Sequence, residues 1–318
     1  MRKPEFDILK GLLIIFVVIG HVVNGDSEVH TVIFWFHMPV FLMTSGYFIK
    51  DVPIDKSCFN KTLSKLLNRY LVPYFSWSTF LFLFIHPESP LKYLARVILG
   101  GANNSLVFTY PFWYINALPL CLLVVNVVNY KFKKNSLRVL GVIAVIMYGL
   151  VHSLNIAKML PIRLPFSFDA AIGCFPYLFC GYLLNRFEWK WKYMAIIVIP
   201  MAMIFLQSCD LICYELDMKQ MKYTSWFLDL VVPMSFAISL YGLSLLISKT
   251  NMKVLLCPIG ESCITTYFLH AAIKYLTGDW LHPILVVIMC ILCGYSIHNF
   301  FKKNVWTSRL FLGVNKNI

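Results

Sequence analysis

Residues 6–24 read FDILKGLLIIFVVIGHVVN, and their only ionisable side chains are Asp7, Lys10 and His21. At about 1.5 Å per residue, a helix of this length rises about 28 Å, close to the ~30 Å hydrocarbon core of a bilayer. Asp7 and Lys10 interrupt the apolar run and no small-residue cleavage site follows it, so the segment does not resemble a signal peptide. We interpret it as a first transmembrane helix.

Nine further apolar stretches of spanning length follow along the chain. The 318 residues are 59% hydrophobic and only 14% charged, with a mean hydropathy of +0.71, whereas soluble domains carry about 25% charged residues. This composition excludes a soluble, disordered or disulfide-rich secreted protein. We predict an all-α integral membrane protein, a single bundle of about ten transmembrane helices in one domain, residues 1–318, with no appended soluble domain. The predicted spans are 6–24, 31–50, 69–86, 111–130, 137–152, 166–185, 193–208, 225–248, 262–278 and 281–301.

The cations are distributed unevenly between the predicted loops. The chain has 28 Lys and Arg residues against 15 Asp and Glu residues, a formal charge of +13. With the amino terminus in the cytoplasm, twenty cations lie in cytoplasmic segments and six in the opposite ones, while Lys10 and Lys274 lie within spans. Cytoplasmic loops of membrane proteins are enriched in Lys and Arg. The excess therefore predicts a multi-pass protein of the cytoplasmic membrane with both termini cytoplasmic, and it does not indicate nucleic acid as a partner.

Lys10 and His21 share one face of the first predicted helix. Eleven residues at 100° each leave them about 20° apart around the axis and about 16 Å apart along it. Asp7 precedes Lys10 by three residues, so the two can pair. Ionisable residues inside a span are candidates for function, and the stripe is apolar at Ile14 and Val17, which predicts a narrow passage. The alternatives are that Lys10 extends to the interface and that His21 bonds main-chain carbonyls there.

The second and third predicted spans each contain a further basic candidate, His37 and Arg69. His37 comes just before Pro39, which removes a helical hydrogen bond and opens room for a polar group; a structural histidine at a kink is the alternative. Arg69 ends a cationic stretch at the entrance of the third span, shortly before Tyr74. A cationic segment suits phosphate groups, although the positive-inside bias would place cations there in any case.

Three residues of later spans are also candidates. Trp113 opens the fourth span, where a Trp either joins an interfacial belt or stacks on a sugar ring. Glu261 lies between Gly260 and Ser262 in a helix-start pattern, which places an acid in the first turn of the ninth span. His270 lies in the middle of that span, where a buried histidine needs a partner.

Other polar residues of the spans are given less weight. Asp169 and Asp229 lie early in the sixth and eighth spans, where each suits a base or a partner of a histidine, but their nearness to the interface favours solvation. We interpret two closely spaced cysteine pairs as packing residues and predict no metal site. These pairs are Cys209 with Cys213 and Cys290 with Cys293.

The pattern Lys10-x10-His21 and the stretch from Phe36-His37-Met38-Pro39 to Ser45-Gly46-Tyr47 resemble the acyltransferase 3 family. Members of this family are integral membrane acyltransferases that O-acylate bacterial surface polysaccharides, and they include the fucose 4-O-acetylase group. The resemblance covers nearly the whole chain. Weaker support comes from three further motifs, namely Arg69 to Pro73-Tyr74, Phe112-Trp113, and Gly260-x-Ser262 to Tyr267-x-x-His270.

The resemblance implies that an acetyl group moves from cytoplasmic acetyl-CoA to a hydroxyl of an extracytoplasmic or lipid-linked sugar or polysaccharide. Such a transfer needs a base near the hydroxyl, a passage for the donor and stabilisation of the oxyanion. We expect His21 to be the general base, with a covalent acyl-histidine route left open. The expected catalytic residues are His21, Lys10 and His37. The residues expected to bind the donor are Lys10, Arg69 and Tyr74. The residues expected to bind the acceptor substrate are Asp7, Trp113, Glu261 and His270. The expected partners are acetyl-CoA, the glycan acceptor and membrane lipid, with no permanently bound cofactor and with a homo-oligomer left open.

The competing hypothesis is a transporter or flippase of a lipid-linked sugar. Lys10, His21 and His270 would then form a substrate or proton path. The sequence has no inverted repeat and no matched pair of broken spans, which are typical of transporters. Three ionisable residues in one helix also argue against a purely structural scaffold.

Overall fold

The described part of the chain is mainly helical. A computed structural model describes residues 3–23, 25–49, 55–85, 89–100, 108–154, 163–188, 190–278 and 280–314. A π-helical turn (Leu67–Leu71) joins α3 to α4, and a short hairpin pairs β1 (Leu216–Asp217) antiparallel with β2 (Lys222–Tyr223). The α-helices of these ranges are α1 (Pro4–Val22), α2 (Glu28–Tyr47), α3 (Lys56–Leu66), α4 (Val72–Ile85), α5 (Pro90–Leu99), α6 (Trp113–Phe132), α7 (Ser136–Ser153), α8 (Phe168–Leu184), α9 (Val198–Ser208), α10 (Leu228–Ile247), α11 (Lys253–Glu261), α12 (Cys263–Thr277), α13 (Pro283–Lys303) and α14 (Val305–Leu312).

Helix α1 lies in the interior of the bundle. It packs against α2, α10, α11, α12 and α13. Ile8, Leu13 and Val18 point in different directions around the helix, and all three are fully buried. A helix that is apolar on nearly every face is stable only when neighbours surround it. Of the ionisable side chains of α1, Asp7 is buried, and Glu5, Lys10 and His21 are half-buried.

Helix α1 crosses α11 with the two backbones in direct contact. A Cβ atom on Gly260 would overlap the carbonyl oxygen of Asp7, and one on Gly11 would lie 2.6 Å from the carbonyl oxygen of Leu256. Small residues allow such close crossings between helices in membranes. The crossing fixes α11 beside the segment of α1 that carries Lys10.

We expect Gly260→Ala to lower the free energy of unfolding by about 1–3 kcal/mol, because the added methyl group must displace the backbone of α1. The matched control is Gly149→Ala in α7, where a Cβ atom would meet only the ring of Trp226 at 3.9 Å. Thermal unfolding of both purified variants in detergent measures the difference. Equal Tm values for the two variants would contradict the tight crossing.

Each of the ten predicted segments overlaps a helix, but the helices differ from the prediction in three respects. The third segment begins earlier than predicted, because α3, the π-helical turn and α4 are continuous from Lys56 to Ile85. The short helices α5, α11 and α14 were not predicted. Glu261 is the last residue of α11 and not part of the first turn of α12, so the expected position of this acid at the start of a helix was wrong.

Fewer of the described helices are long and apolar enough to cross a membrane than the ten spans that the sequence predicts. In the described ranges, five helical segments are long and apolar enough to cross a membrane, or six if α11 and α12, which are bent by 74°, form one broken span. Helix α1 is not among them, and it carries the three charges of Glu5, Asp7 and Lys10. A total of ten spans and the orientation of the termini stay predictions. Of the cations counted in the loops, Arg2, Lys50, Lys158 and Lys316 lie outside the described residues.

Candidate active site

Two cavities lie along α1 and meet at Met38 and Tyr267, which line both of them. The first, which we call the Lys10 cavity, has a volume of about 750 Å³ and is lined by Lys10 near the start of α1. The second, the His21 cavity, has a volume of about 350 Å³ and is lined by His21 near the end of α1. The two residues predicted to share a stripe thus face two adjoining spaces. Val17 of that stripe lines the His21 cavity.

The Lys10 cavity is strongly cationic. Four basic side chains line it, and its one acid among the described lining residues, Glu261, lies 3.4 Å from Lys302 Nζ. The four are Lys10, Lys65, Arg69 and Lys302. Such a cluster suits a ligand with several negative charges, since each ammonium or guanidinium group forms charge-assisted hydrogen bonds to phosphate oxygens. Glu261 was expected to bind the acceptor substrate, but the structure places it in the Lys10 cavity.

Lys10 pairs with Asp7, as the spacing of the two residues predicts. The distance from Lys10 Nζ to Asp7 Oδ1 is 2.7 Å, with 33% of the lysine side chain and 6% of the aspartate side chain exposed. The ion pair offsets part of the cost of burying Asp7. Asp7 lines neither cavity, so its position supports the ion pair with Lys10 and does not support direct contact with an acceptor.

Two irregular helical segments border the Lys10 cavity. Arg69 lies in the π-helical turn between α3 and α4, and such turns are frequent at functional sites. The break between α11 and α12 lies on the other side, where Gly260 and Cys263 line the cavity. The first turn of α12 therefore borders the cationic space, and the positive end of a helix dipole favours an anion there.

The imidazole of His21 lies in a ring of aromatic and histidine side chains. Its centroid is 5.1 Å from that of His270, which stacks on it, and 5.2 Å from that of Tyr110. The rings of Phe34 and His37 lie at 5.5 Å and 6.3 Å. Within the described residues, neither ring nitrogen of His21 has a hydrogen-bond partner. The ring is therefore free to bond a group that enters the cavity.

Three other histidines near His21 each have Nδ1 bonded to a main-chain carbonyl. The acceptors are the carbonyls of Gly20 for His30, Ile33 for His37 and Tyr267 for His270, all at 2.7 Å. Because a carbonyl oxygen only accepts, Nδ1 carries the hydrogen and Nε2 presents a lone pair in the neutral ring. The buried Nε2 of His270 has no partner in the described part of the chain.

His37 and His270 are both almost fully buried, unlike His21. His37 borders the His21 cavity, whereas His270 reaches it only through its stacking on His21. Of the predicted histidines, His21 is thus the one most accessible from the cavity. This accessibility favours His21 for direct contact with a substrate, with His37 and His270 beside it.

Lys274 holds the end of α1 in place. Its Nζ donates to the carbonyl oxygen of His21 at 2.6 Å and to that of Val22 at 3.4 Å. The last carbonyls of a helix lack partners within the helix, and a cation there also interacts favourably with the helix dipole. Lys274 of α12 therefore fixes the backbone of His21 without using the imidazole.

Aromatic residues form the rest of the His21 cavity. Trp113 and Tyr110, at the start of α6 and just before it, both line the cavity. The hydroxyl of Tyr267 donates to the carbonyl oxygen of Pro111, which ties α12 to this wall. Aromatic faces of this kind suit stacking on the apolar face of a sugar ring. Trp113 thus lies where the sequence placed a sugar-binding residue.

Tyr74 lies in the core and lines neither cavity. It is fully buried, and its hydroxyl donates to the carbonyl oxygen of Val97 in α5 at 2.7 Å. Direct contact with an acyl donor, as expected from the sequence, is not supported by this position. The resemblance placed Tyr74 beside Arg69 in one motif, but helical geometry turns the two side chains to different surroundings.

Asp169 and Asp229 are fully buried, so the expected solvation of these carboxylates was wrong. Asp169 forms an ion pair with Arg163, and Asp229 Oδ2 lies 3.0 Å from His152 Nε2. The alternative that an aspartate serves as partner of a histidine is therefore correct for Asp229. Neither pair lines the two cavities, but Arg163 also donates to the carbonyl oxygen of Lys219, which lines the His21 cavity.

Several cavity residues were missed from the sequence. Lys219 and Lys302 were counted only as loop and tail cations, and His30 and His298 were not considered. The rule that marks ionisable residues inside spans would have found His298, which lies in the last predicted span. No local pattern marks Lys219, because the hairpin that carries it reaches the cavity only through the tertiary fold.

Comparisons with known proteins identify the family of the chain. The family model described as an acyltransferase domain (Acyl_transf_3) matches residues 3–309. The nodulation protein NolL of Mesorhizobium japonicum is 25% identical over 214 residues, which cover 63% of this chain. The same match covers 54% of NolL, so the chain matches about half of that relative's length. No solved structure matches the chain.

Proposed function

Because the chain belongs to the acyltransferase domain family, we propose that this membrane acyltransferase moves an acetyl group from acetyl-CoA to a hydroxyl of a sugar or lipid-linked glycan. The donor occupies the Lys10 cavity and the acceptor occupies the His21 cavity. The observation that carries the proposal is that Met38 and Tyr267 line both cavities, with four Lys and Arg side chains along the first and His21, His30 and His37 along the second.

The charge of the Lys10 cavity and the length of the donor's arm support placing the donor in this cavity. Acetyl-CoA has three phosphate groups at one end and a thioester at the end of a flexible arm. Arg69 and Lys65 provide cations for the phosphates, and the distance along α1 from Lys10 to His21 is about 16 Å by helical rise. An arm of that order would bring the thioester to Met38 and Tyr267, where the cavities meet.

The imidazole of His21 supports placing the acceptor in the His21 cavity. The ring of His21 has no hydrogen-bond partner in the described residues, and Trp113 and Tyr110 provide faces on which a sugar ring can stack. A neutral imidazole accepts the proton of a bound hydroxyl through its lone pair. Lys274 keeps the backbone of His21 fixed during this step.

The proposed reaction is direct transfer. His21 takes the proton of the acceptor hydroxyl as the oxygen attacks the thioester carbonyl carbon, and a tetrahedral oxyanion forms. The C–S bond then breaks, the ester remains on the sugar, and the thiolate of coenzyme A leaves and takes up a proton. His37 lies 6.3 Å from His21 between ring centroids, and in the proposed reaction the lone pair of its Nε2 assists the proton transfer.

The orientation of the chain follows from the charge distribution. Twenty of the loop and tail cations fall on the side of the predicted topology that carries the amino terminus. The Lys10 cavity then faces the cytoplasm, where acetyl-CoA is made, and the His21 cavity faces outward in the cytoplasmic membrane. This arrangement suits an acceptor glycan that is assembled or displayed outside.

The proposal is tested with membranes of cells that make the protein and membranes of cells that do not. Radiolabelled acetyl-CoA is added, and label in the glycan fraction and release of free coenzyme A are measured. We expect acetylated glycan only with the protein present. Movement of a lipid-linked sugar across the membrane without release of coenzyme A would contradict the proposal and favour the transporter.

A further inference from the structure

The hairpin of β1 and β2 covers the His21 cavity and is held there by both of its neighbours. Trp35 of α2 donates its indole N–H to the carbonyl oxygen of Tyr214 at 3.0 Å. Arg163, which is ion-paired with Asp169 of α8, donates to the carbonyl oxygen of Lys219 at 3.0 Å. These bonds fix the turn of the hairpin relative to two helices of the bundle.

This anchoring presents the side chain of Lys219 to the His21 cavity. The Nζ atom lies 4.6 Å from the ring centroid of Tyr110, the same ring that lies 5.2 Å from the imidazole of His21. Lys219 and His21 therefore share one aromatic neighbour within one cavity. A ligand that contacts Tyr110 can therefore reach both side chains.

The ammonium group of Lys219 forms no salt bridge within the described residues, and the one nearby carboxylate that acts on it is that of Asp217. In the described ranges, no carboxylate forms a salt bridge with Lys219 or with Lys274, the two lysines that line this cavity. Asp217 lies on the same hairpin, but its Oδ1 accepts from the backbone N–H of Gln220 at 2.9 Å and so supports the turn. The cavity therefore carries two lysine charges against the one carboxylate of Asp217.

Burial also disfavours the charged form of Lys219 and lowers its pKa to about 8, an effect to which Arg163 adds and which Asp217 opposes. Lys219 is half-buried and has no salt bridge in the described residues, so a ligand that supplies a counter-charge would stabilise its charged form. Nearby Lys222 shows the contrast. It is 59% exposed at the side chain and pairs with Glu215 at 3.3 Å.

Resting on the proposed acetyl transfer, we propose that the acceptor carries an anionic group, a carboxylate or a phosphate, and that Lys219 binds this group beside Tyr110. The bound anion positions the sugar so that its hydroxyl faces His21. Lys219 is thus a residue that determines specificity, and it takes no part in moving the proton. The carboxylate would belong to an acidic sugar, and the phosphate to the link between a sugar and its lipid carrier.

The charge state of Lys219 gives this binding a pH dependence. Because its pKa lies at about 8, Lys219 loses its charge as the pH rises through that value, and the preference for an anion falls between pH 7 and pH 9. Lys219→Arg should keep the preference across this range, since a guanidinium stays charged. The other titratable and charged groups that face Lys219 or line the same cavity are Asp217, Arg163, Lys274, His21, His30, His37, Tyr110 and Tyr267.

The test uses the full chain in lipid nanodiscs and three probes that share a glucose ring and a hexyl chain. Hexyl glucoside is neutral, hexyl glucuronide adds a carboxylate, and glucosyl hexyl phosphate has a phosphodiester in the link. Binding is measured by microscale thermophoresis, with empty nanodiscs as the blank. Acetyl transfer is measured separately. If the protein transfers no acetyl group but still prefers an anionic probe, the proposed reaction is contradicted and the proposed anion site is not.

We expect the wild-type protein at pH 7 to bind at least one anionic probe about tenfold more tightly than the neutral one, as expected for one charge-assisted hydrogen bond. Lys219→Gln should abolish the preference, whereas Lys219→Arg and the control Lys222→Gln should keep it. Preference for the glucuronide indicates an acidic sugar, and preference for the phosphodiester indicates a lipid-linked one. Equal binding of all three probes, a retained preference in Lys219→Gln, or an equal loss in Lys222→Gln would overturn the proposal.

Discussion

We expect His21→Ala to lower the rate of acetyl transfer by about 10²- to 10⁴-fold, the usual effect of losing a general base. The imidazole of His21 is the accessible one among the predicted histidines, and it has no competing hydrogen bond in the described residues. The substitution leaves the main chain intact, so Lys274 still has the carbonyl oxygen at position 21 to bond. Initial rates with labelled acetyl-CoA, normalised to the amount of folded protein, measure the loss.

The control for this variant is His282→Asn. His282 is an exposed histidine outside both cavities that accepts from the backbone N–H of Ile284 at the start of α13, and asparagine can accept the same bond. We expect the control to keep the wild-type rate. Wild-type acetylation by folded His21→Ala would remove His21 from the mechanism.

The second large effect is expected on binding of the donor. Arg69→Gln should raise the KM for acetyl-CoA by about 10- to 100-fold, because one hydrogen bond to a charged group contributes about 1.5–3 kcal/mol and 1.4 kcal/mol corresponds to a factor of ten. The rate at saturating donor should change much less, since Arg69 lies in the Lys10 cavity and does not line the His21 cavity. Initial rates over a range of acetyl-CoA concentrations separate kcat from KM.

Lys61→Gln is the matched control for Arg69→Gln. Lys61 belongs to the same cationic stretch and is exposed on α3, but it does not line the Lys10 cavity. If general positive charge on this surface attracts the donor, the two variants will raise KM alike. An unchanged KM in Arg69→Gln would contradict the assignment of the donor to this cavity.

The relation between Lys10, Asp7 and His21 was predictable from the sequence because it depends on one helix. The period of an α-helix alone places Lys10 and His21 on one face and Asp7 within reach of Lys10, and the structure contains this ion pair. The resemblance added the family, which the match over residues 3–309 confirms. Helical periodicity and the family motif thus independently identified α1 as the helix that carries candidate site residues.

Features that depend on contacts between distant segments were not predictable in this way. Tyr74 was assigned to the donor, yet its hydroxyl bonds Val97 in α5, a helix that the sequence analysis did not predict. The stacking of His270 on His21 brings together residues far apart in the chain. Lys219 likewise reaches Tyr110 only because Arg163 and Trp35 anchor the hairpin. Hydropathy and periodicity contain no information about such pairings.

The central claim is that the donor enters from the Lys10 face and the acceptor from the face that carries the hairpin. It is tested most directly with sealed vesicles of both orientations, to which labelled acetyl-CoA, a molecule that does not cross the bilayer, is added outside. Cys209 and Cys213 are exposed near the hairpin, so their interpretation as packing residues was wrong. In a Cys58→Ser variant, an impermeant maleimide therefore reports the orientation through these two cysteines. We predict acetylated glycan only in vesicles whose Cys209 and Cys213 are protected from the maleimide. Equal acetylation in vesicles where these cysteines are labelled would contradict the claim.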